Sequence, residues 1–142
     1  MAIGQNKVAQ LTQLLEDESI DVACITETHL KPTQKLYVQN YTVHRTDRPN
    51  AAYGGVATIV KNSIRHKAIS IQTTYLETCG VEVILNAKPL RIIACYSPPN
   101  TKNLSEIPTL LENVTPTILA GDFNAKHDSW AAAPKTQKEP HY

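Results

Sequence analysis

Two segments of the chain carry hydrophobic residues at the spacing of a helix that packs one face against a core. Residues 5–18 place Val8, Leu11 and Leu15 on one side, with glutamine, lysine and glutamate between them, and predict an amphipathic helix. Residues 106–112 predict a second, shorter helix, with Pro108 in the first turn, where its missing N–H costs little. The other hydrophobic runs are too short to form helices of this kind.

Seven short runs, rich in β-branched and other hydrophobic residues, predict β-strands. They cover residues 20–26, 41–45, 56–60, 68–73, 81–85, 90–96 and 117–120. A turn is predicted around Cys79 and Gly80, between the fourth and fifth runs, and a hairpin-like turn at 86–89 leads into the sixth. This order predicts a sheet-rich α+β domain with helices covering an outer face.

Composition is that of one ordinary soluble domain. Of 142 residues, 42% are hydrophobic and 19% are charged, and no apolar run approaches the ~18 residues of a membrane helix. The three cysteines, an odd number without Cys-x-x-Cys spacing, are predicted to be reduced core residues. We therefore predict a nuclear or cytoplasmic protein that is not secreted and has no membrane partner. The domain is predicted to cover residues 1–130, followed by a mobile tail at 131–142, which lacks any hydrophobic period.

Charge is distributed unevenly along the chain. The formal net charge is +1, but residues 31–67 hold seven lysines and arginines against one acid, a net +6, which leaves −5 for the remainder. A basic segment on an acidic protein suits a polyanionic ligand such as nucleic acid. The alternative, scattered charges on a solvated face, fits the charge pattern equally well.

Two predicted strands deliver a carboxylate at their C-terminal ends, Glu27 after residues 20–26 and Asp122 after residues 117–120. A carboxylate at the mouth of a buried strand requires a counter-charge, hydrogen bonds or a metal. If the two converge, they supply oxygen ligands of the kind that Mg²⁺ takes together with water and substrate phosphate. Alternatively, Glu27 caps the turn that follows it and Asp122 stabilises its own turn.

Three motifs occur in a specific order: Ile-Thr-Glu-Thr-His-Leu at 25–30, Tyr-Ser-Pro-Pro at 96–99 and Gly-Asp-Phe-Asn-Ala-Lys-His at 121–127. Arg-Thr-Asp-Arg at 45–48 and the Gly54-Gly55 pair lie between the first two. Together they resemble the endonuclease domain of jockey-like non-LTR retrotransposons, which belongs to the endonuclease/exonuclease/phosphatase superfamily. The resemblance implies a partial DNase I-like fold, a four-layer α/β/β/α sandwich whose C-terminal strands are missing.

The resemblance also implies roles for four residues. Glu27 matches the family's metal ligand, which holds Mg²⁺ (or Mn²⁺), and Asp122 matches the aspartate that orients and helps deprotonate the attacking water. Asn124 matches the asparagine that hydrogen-bonds the phosphate, and Tyr96 matches the tyrosine whose hydroxyl donates to a developing oxyanion. These roles agree with what phosphodiester hydrolysis requires. The structural alternatives are turn chemistry for Asn124 and a half-buried aromatic ring for Tyr96.

The implied partner is the phosphate backbone of DNA. Four basic residues of the 31–67 segment are predicted DNA contacts, and His127 is added chiefly as a loop residue that braces the site. The basic residues are Arg45, Arg48, Lys61 and Arg65.

The sequence departs from the family pattern at both ends. The family opens with a strand that ends in an asparagine before a glycine, whereas here only Gly4 matches. The family's later Ser-Asp-His motif, whose histidine is the general acid/base partner, has no counterpart. The chain is therefore expected to be inactive as a nuclease, since acid–base catalysis contributes roughly 10² to 10⁴-fold.

The missing strands carry a structural expectation as well. An incomplete sheet exposes open edges, which predicts self-association through them. Two other interpretations stay open. The chain could be a non-enzymatic nucleic-acid-binding remnant that uses the 31–67 segment, or a fragment with no function of its own.

Overall fold

The structure is a computed structural model that describes residue 3 and residues 5–49, 53–99 and 104–124. The predicted tail at 131–142 and His127 lie outside the described residues. Within these ranges the elements are, in chain order, α1 (Gln5–Asp17), β1 (Val22–Thr26), β2 (Tyr41–Thr46), β3 (Val56–Lys61), β4 (His66–Ile69), β5 (Glu77–Leu85), β6 (Lys88–Tyr96), α2 (Glu106–Leu111) and β7 (Thr117–Asp122).

The strands form two sheets. The first has the order β1-β3-β2 and is antiparallel throughout. The second has the order β4-β5-β6-β7, in which the first two pairings are antiparallel and the pairing of β6 with β7 is parallel. The parallel pairing requires a crossover, and α2 lies within it.

Strand β3 shows how the first sheet separates two cores. Successive side chains of a strand point to opposite faces. Ala57 and Ile59 accordingly pack with Leu15 of α1, whereas Val56 and Val60 belong to clusters that face the second sheet. Because both faces are covered, four of the six β3 residues are apolar, and the polar residue among them, Thr58, is buried and donates its hydroxyl to the Cys79 carbonyl at 2.7 Å.

The second sheet is also covered on both faces. On β6, Ala94 packs with Cys79 between the sheets, whereas its neighbour Cys95 packs with Leu76 and with Leu110 of α2 on the outer side. The layers are therefore α1, first sheet, second sheet and α2. This order confirms the predicted DNase I-like α/β/β/α arrangement.

Every predicted strand is present, with boundaries shifted by one or two residues in most cases, and the largest shifts, of four residues, are at the end of β4 and the start of β5. Strand β4 ends at Ile69 instead of residue 73, and β5 begins at Glu77, so Cys79 and Gly80 lie inside a strand and not in a turn. Gly80 marks a close approach: a Cβ at this position would lie 2.6 Å from Cδ1 of Ile71. The glycine was misread as a turn signal because sequence alone does not distinguish these two uses.

The carboxylate of Glu106 ties α2 to the segment that precedes β5. It accepts hydrogen bonds from the backbone N–H groups of Thr74, Tyr75 and Leu76, the last two at 3.1 and 3.0 Å. Burial opposes ionisation of Glu106, but the three donors outweigh burial and lower its pKa from the ordinary value of 4.5. The ionised form thus holds the outer helix in place.

Replacing Glu106 with glutamine is expected to destabilise the fold by about 2 kcal/mol near pH 7, since charge-assisted hydrogen bonds weaken to neutral ones. A lowered pKa in the folded state gives stability that is present above pH 4.5 and lost as the pH falls through the folded-state pKa. Urea unfolding of both proteins between pH 7 and pH 3 measures the difference, which should shrink toward the acid end. A pH-independent difference would contradict this account. Glu112→Gln, at an exposed position just after the same helix, is the matched control.

Strands β4 and β7 are the edges of the second sheet within the described residues. Near the β7 edge, Ile118 and Leu111 are about half exposed, at 50% and 46%. These are the features on which pairing with another chain would depend. Self-association through the sheet edges stays a prediction.

Candidate active site

Glu27 lies directly after β1, where the backbone changes direction. Glu27 and His29 both have φ of 55°. This is a left-handed backbone conformation, which residues other than glycine rarely keep unless their surroundings stabilise it. Two hydrogen bonds provide that stabilisation: the Thr28 N–H donates to the Gly55 carbonyl at 3.2 Å, and the His29 N–H donates to the Gly54 carbonyl at 2.9 Å. The loop before β3 therefore fixes the direction of the Glu27 side chain.

Tyr96, the last residue of β6, brings the second sheet to Glu27. Its ring is 4% exposed, and its hydroxyl donates to Oε1 of Glu27 at 3.0 Å. Burial first, and then the hydrogen bond to Glu27, raise the pKa of Tyr96 to about 12. The hydroxyl is consequently protonated at neutral pH and is a permanent donor at the point where the two sheets meet.

Asp122 ends β7 beside Tyr96, because the parallel register pairs these two residues. Oδ1 of Asp122 accepts the Asn124 N–H at 3.0 Å, and Nδ2 of Asn124 donates to the Ser97 carbonyl at 2.7 Å. The Ser97 N–H in turn donates to the Asp122 carbonyl at 2.8 Å. The turn chemistry considered as an alternative for Asp122 and Asn124 is thus present, and it fixes both side chains next to Tyr96.

Gly121 makes this arrangement possible. A Cβ at position 121 would lie 1.8 Å from the carbonyl oxygen of Cys95, and φ of 155° places the residue where side chains other than hydrogen are disfavoured. The end of β7 can therefore approach the end of β6 only when residue 121 is glycine. The Gly-Asp pair is in this sense a single geometric unit.

Two of the predicted DNA contacts are engaged with carboxylates. Arg45 donates to Oδ2 of Asp47 through Nε at 3.0 Å and Nη2 at 2.8 Å. Arg48 donates to Glu77 through Nε at 3.1 Å and Nη2 at 2.7 Å. Lys61 is half-buried and Arg65 is exposed. DNA contact by these four residues stays a prediction, and His127 lies beyond the region that the structure describes.

Glu77 is the residue that sequence reasoning missed. It opens β5, pairs in register with Tyr96 on β6, and accepts the Gly55 N–H on Oε1 at 2.8 Å in addition to the two donors of Arg48. No motif marks it, and the predicted turn at residues 79 and 80 left it outside any strand. The structure places it at the site because cross-strand pairing, which the sequence does not show, brings it opposite Tyr96.

The donor chemistry of the site fits a hard cation. Glu27 and Asp122 offer carboxylate oxygens at the ends of β1 and β7, which belong to different sheets but lie in contact, and Glu27 is half-buried, so part of it is accessible from solvent. Within the described ranges there is no group of three or more His, Cys, Asp and Glu side chains that could hold a metal. A set of few protein carboxylates is nevertheless the kind that Mg²⁺ uses when water and substrate phosphate complete its coordination. Glu27 is the residue that would hold the ion.

Comparison with known proteins defines the class. The model of the endonuclease/exonuclease/phosphatase family matches residues 4–139, and the chain belongs to that family. The part of the chain that the structure describes has two helices, α1 and α2. Neither is long and apolar enough to cross a membrane.

Within the family, the chain is similar to proteins of non-LTR retrotransposons. It is 28% identical over 125 residues to the RNA-directed DNA polymerase from mobile element jockey of Drosophila melanogaster, which covers 85% of this chain and 14% of that protein. It is also 28% identical over 137 residues to the probable RNA-directed DNA polymerase from transposon X-element of the same species, covering 93% and 15%. The chain therefore spans about one-seventh of the length of these curated relatives.

Solved structures agree on the fold. The endonuclease domain of TRAS1, a telomere-specific non-LTR retrotransposon, superposes with a TM-score of 0.68 at 18% identity and covers 89% of this chain and 58% of that one. TDP2 of D. rerio, complexed with a single-strand DNA product, gives a TM-score of 0.58 at 19% identity and covers 85% and 54%. The predicted jockey-like family and the DNase I-like fold are confirmed.

Proposed function

We propose that this chain carries part of the active site of a retrotransposon endonuclease, which uses Mg²⁺ (or Mn²⁺) to hydrolyse one phosphodiester and nick DNA. The observation that carries the proposal is the hydrogen bond from the Tyr96 hydroxyl to Glu27, with Asp122 in register beside Tyr96. Membership of the family, similarity to jockey and the fold of the TRAS1 endonuclease domain support it. The partner is accordingly the phosphate backbone of DNA.

The proposed roles follow from the contacts. Glu27 would hold the cation, which when bound neutralises charge on the phosphoryl oxygens. Asp122, held by the Asn124 N–H, accepts a proton from the attacking water. Nδ2 of Asn124 has two protons and gives one to the Ser97 carbonyl, which leaves the other for a phosphate oxygen. Tyr96, protonated because its pKa is about 12, has a single hydroxyl proton, which it gives to Glu27 in the structure. Once the Glu27 carboxylate holds the cation, this proton would be free to turn to the oxygen on which charge develops.

Turnover needs a further group. The family supplies its general acid/base histidine from a Ser-Asp-His motif, and these 142 residues contain no such sequence. Residues that act as a unit in catalysis lose most of the rate when one is removed. We therefore propose that these 142 residues alone bind the phosphate backbone without cleaving it.

The test is a plasmid-nicking experiment with two proteins. One is the 142-residue chain, and the other is the same chain extended by the jockey segment that carries the Ser-Asp-His motif. We expect the extended protein to convert supercoiled plasmid to the open circle when Mg²⁺ is present and to stop when EDTA is added, whereas the 142-residue chain leaves the plasmid supercoiled. An extended protein that folds and binds DNA but does not nick it would refute the proposed reaction.

A second function, DNA binding through the 31–67 segment without catalysis, is favoured by the exposure of Lys31, Lys35 and Arg65. Glu77 and Glu82, which lie outside the segment, pair with Arg48 and Lys67 and reduce its effective charge.

Charge reversal at Lys61 and Arg65 tests this second function without breaking the ion pairs of Arg45 and Arg48. If the segment contacts phosphates, the double variant Lys61→Glu/Arg65→Glu should bind DNA with a weaker salt dependence. The slope of log Kobs against log salt concentration should fall in magnitude by about two. Fluorescence anisotropy at several salt concentrations measures it. Lys88→Glu, at the exposed first residue of β6 and outside the segment, is the control, and equal slopes in both variants would contradict the segment's role.

We also propose a nuclear or cytoplasmic site of action. Cys24, Cys79 and Cys95 are free, which suits a reducing compartment. Burial raises the pKa of Cys24 to about 11 and of Cys95 to about 12, so these thiols stay protonated.

A further inference from the structure

We infer that the ion pair of Arg48 with Glu77 is a positioning device that sets the direction of the Glu27 carboxylate and thereby the affinity of the site for a divalent cation. The inference rests on the proposed function, since it names residues that prepare the same site. In this role neither residue touches the cation. Both act through the loop that carries Gly54 and Gly55.

Glu77 connects three parts of the molecule. Its carboxylate accepts both donors of the Arg48 fork, at 3.1 and 2.7 Å, and the Gly55 N–H at 2.8 Å. Arg48 follows β2 in the first sheet, Glu77 opens β5 in the second, and Gly55 precedes β3. The carboxylate is only 17% exposed, so it holds three charge-assisted donors in a place where solvent competes weakly.

The glycine loop passes this constraint to Glu27. The carbonyls of Gly55 and Gly54 accept the N–H groups of Thr28 and His29, the two residues that follow Glu27. Because Glu27 and His29 have positive φ, the conformation persists only while these hydrogen bonds hold. A free loop would therefore release the Glu27 backbone.

Gly54 is shaped for the same purpose. A Cβ at this position would lie 2.3 Å from Nε of Arg48, and φ is 73°. The guanidinium thus lies against the loop backbone where a side chain would otherwise stand. Any side chain at position 54 would collide with the Arg48 guanidinium. This close packing, and not a need for a flexible loop, explains the glycine.

Glu77 also controls the charge next to Glu27. The hydrogen bonds that Arg48 donates to Glu77 are the main cause that raises the pKa of Arg48, against burial, and the negative charges of Glu77 and Glu27 add smaller contributions. Arg48 is therefore a permanent cation near the Glu27 carboxylate. While its fork is bound to Glu77, it does not take the Glu27 oxygens that a metal would use.

The experiment measures two properties of the 142-residue chain. Amide hydrogen exchange at Thr28 and His29, without any metal, reports the loop, and calorimetric titration with Mn²⁺ alone reports the site. In Glu77→Gln and in Arg48→Lys, which loses the planar fork but keeps the charge, we expect exchange at both amides to quicken at least tenfold and Mn²⁺ binding to weaken about 10 to 100-fold. Glu82→Gln, which removes another ion-paired carboxylate of β5, should change neither.

The outcomes separate the two proposals. If exchange at Thr28 and His29 is no faster in Glu77→Gln and Arg48→Lys than in Glu82→Gln, the positioning role is wrong, whatever the metal does. If exchange quickens but Mn²⁺ binding is unchanged in these variants while Glu27→Gln abolishes it, the link from loop to cation is refuted and the proposed metal ligand stands. If Glu27→Gln leaves Mn²⁺ binding intact, the proposed metal ligand fails, and with it the effect of the pair on affinity. Should Glu77→Gln not fold, Arg48→Lys carries the test.

Discussion

Alanine at position 121 is expected to destabilise the domain by at least 3 to 4 kcal/mol, at the upper end of single-substitution effects. The new Cβ would lie 1.8 Å from the carbonyl oxygen of Cys95 and 2.8 Å from its carbonyl carbon. These are backbone atoms in the β6–β7 ladder, so relief requires the strands to separate. Separation would break the register of Tyr96 with Asp122. Urea unfolding followed by circular dichroism measures the loss.

Gly80→Ala is the matched control for Gly121→Ala. Both glycines lie in strands of the second sheet, but the Cβ at position 80 would meet the side-chain ends of Ile69 and Ile71, which can rotate away. Overpacking of this kind costs about 1 to 3 kcal/mol. If the two variants lose the same free energy of unfolding, the clash with the Cys95 backbone is not the cause of the loss expected for Gly121→Ala.

The second large effect concerns catalysis. In the protein extended by the Ser-Asp-His segment, Asp122→Ala is expected to slow plasmid nicking by about 10² to 10⁴-fold, because in the proposed reaction the attacking water loses the group that orients and deprotonates it. DNA affinity should change little, since Asp122 bears no positive charge for the phosphate backbone. Initial nicking rates at saturating Mg²⁺, with anisotropy measured in parallel, separate the two quantities.

Asp17→Ala is the control for Asp122→Ala. Asp17 is an exposed carboxylate at the end of α1 that accepts a hydrogen bond from Gln13 at 2.7 Å and, within the described residues, makes no hydrogen bond to the candidate site. It should nick at the rate of the parent protein. A parent-like rate in Asp122→Ala would assign proton transfer to another residue and refute the role proposed for this one.

The helices and most strands could be predicted from periodicity because each has one clear pattern. α1 has apolar residues along one face, and β3 is mostly apolar because both of its faces are covered. The prediction was wrong where the same residue type occurs in two kinds of structure, as glycine does in turns and in closely packed strands. Gly80 sits inside a strand to make room for isoleucine side chains, and the segment after Ile69 is held by Glu106 instead of by a strand partner.

The candidate site was predictable where chemistry follows the chain. Glu27 and Asp122 stand at strand ends, and the motifs add Tyr96 and Asn124. The structure places Tyr96 against Glu27 and in register with Asp122, and Asn124 in the turn after β7. The sequence does not show the partners of the basic residues, because Glu77 reaches Arg48 only through the packing of two sheets. The sequence shows the excess of positive charge in residues 31–67, but only the folded structure shows that glutamates from outside the segment pair with part of it.

The parallel pairing of β6 with β7 has a consequence for variation among related chains. The ladder from Arg91 opposite Thr117 to Tyr96 opposite Asp122 fixes which side chains meet, whatever the length of the crossover between them. Glu106 anchors the first part of that crossover, so added residues are best accommodated between Leu111 and Thr117. Insertions there would enlarge the outer surface and leave the distance between the catalytic groups unchanged. Evolution can thus remodel this surface independently of the chemistry beside it.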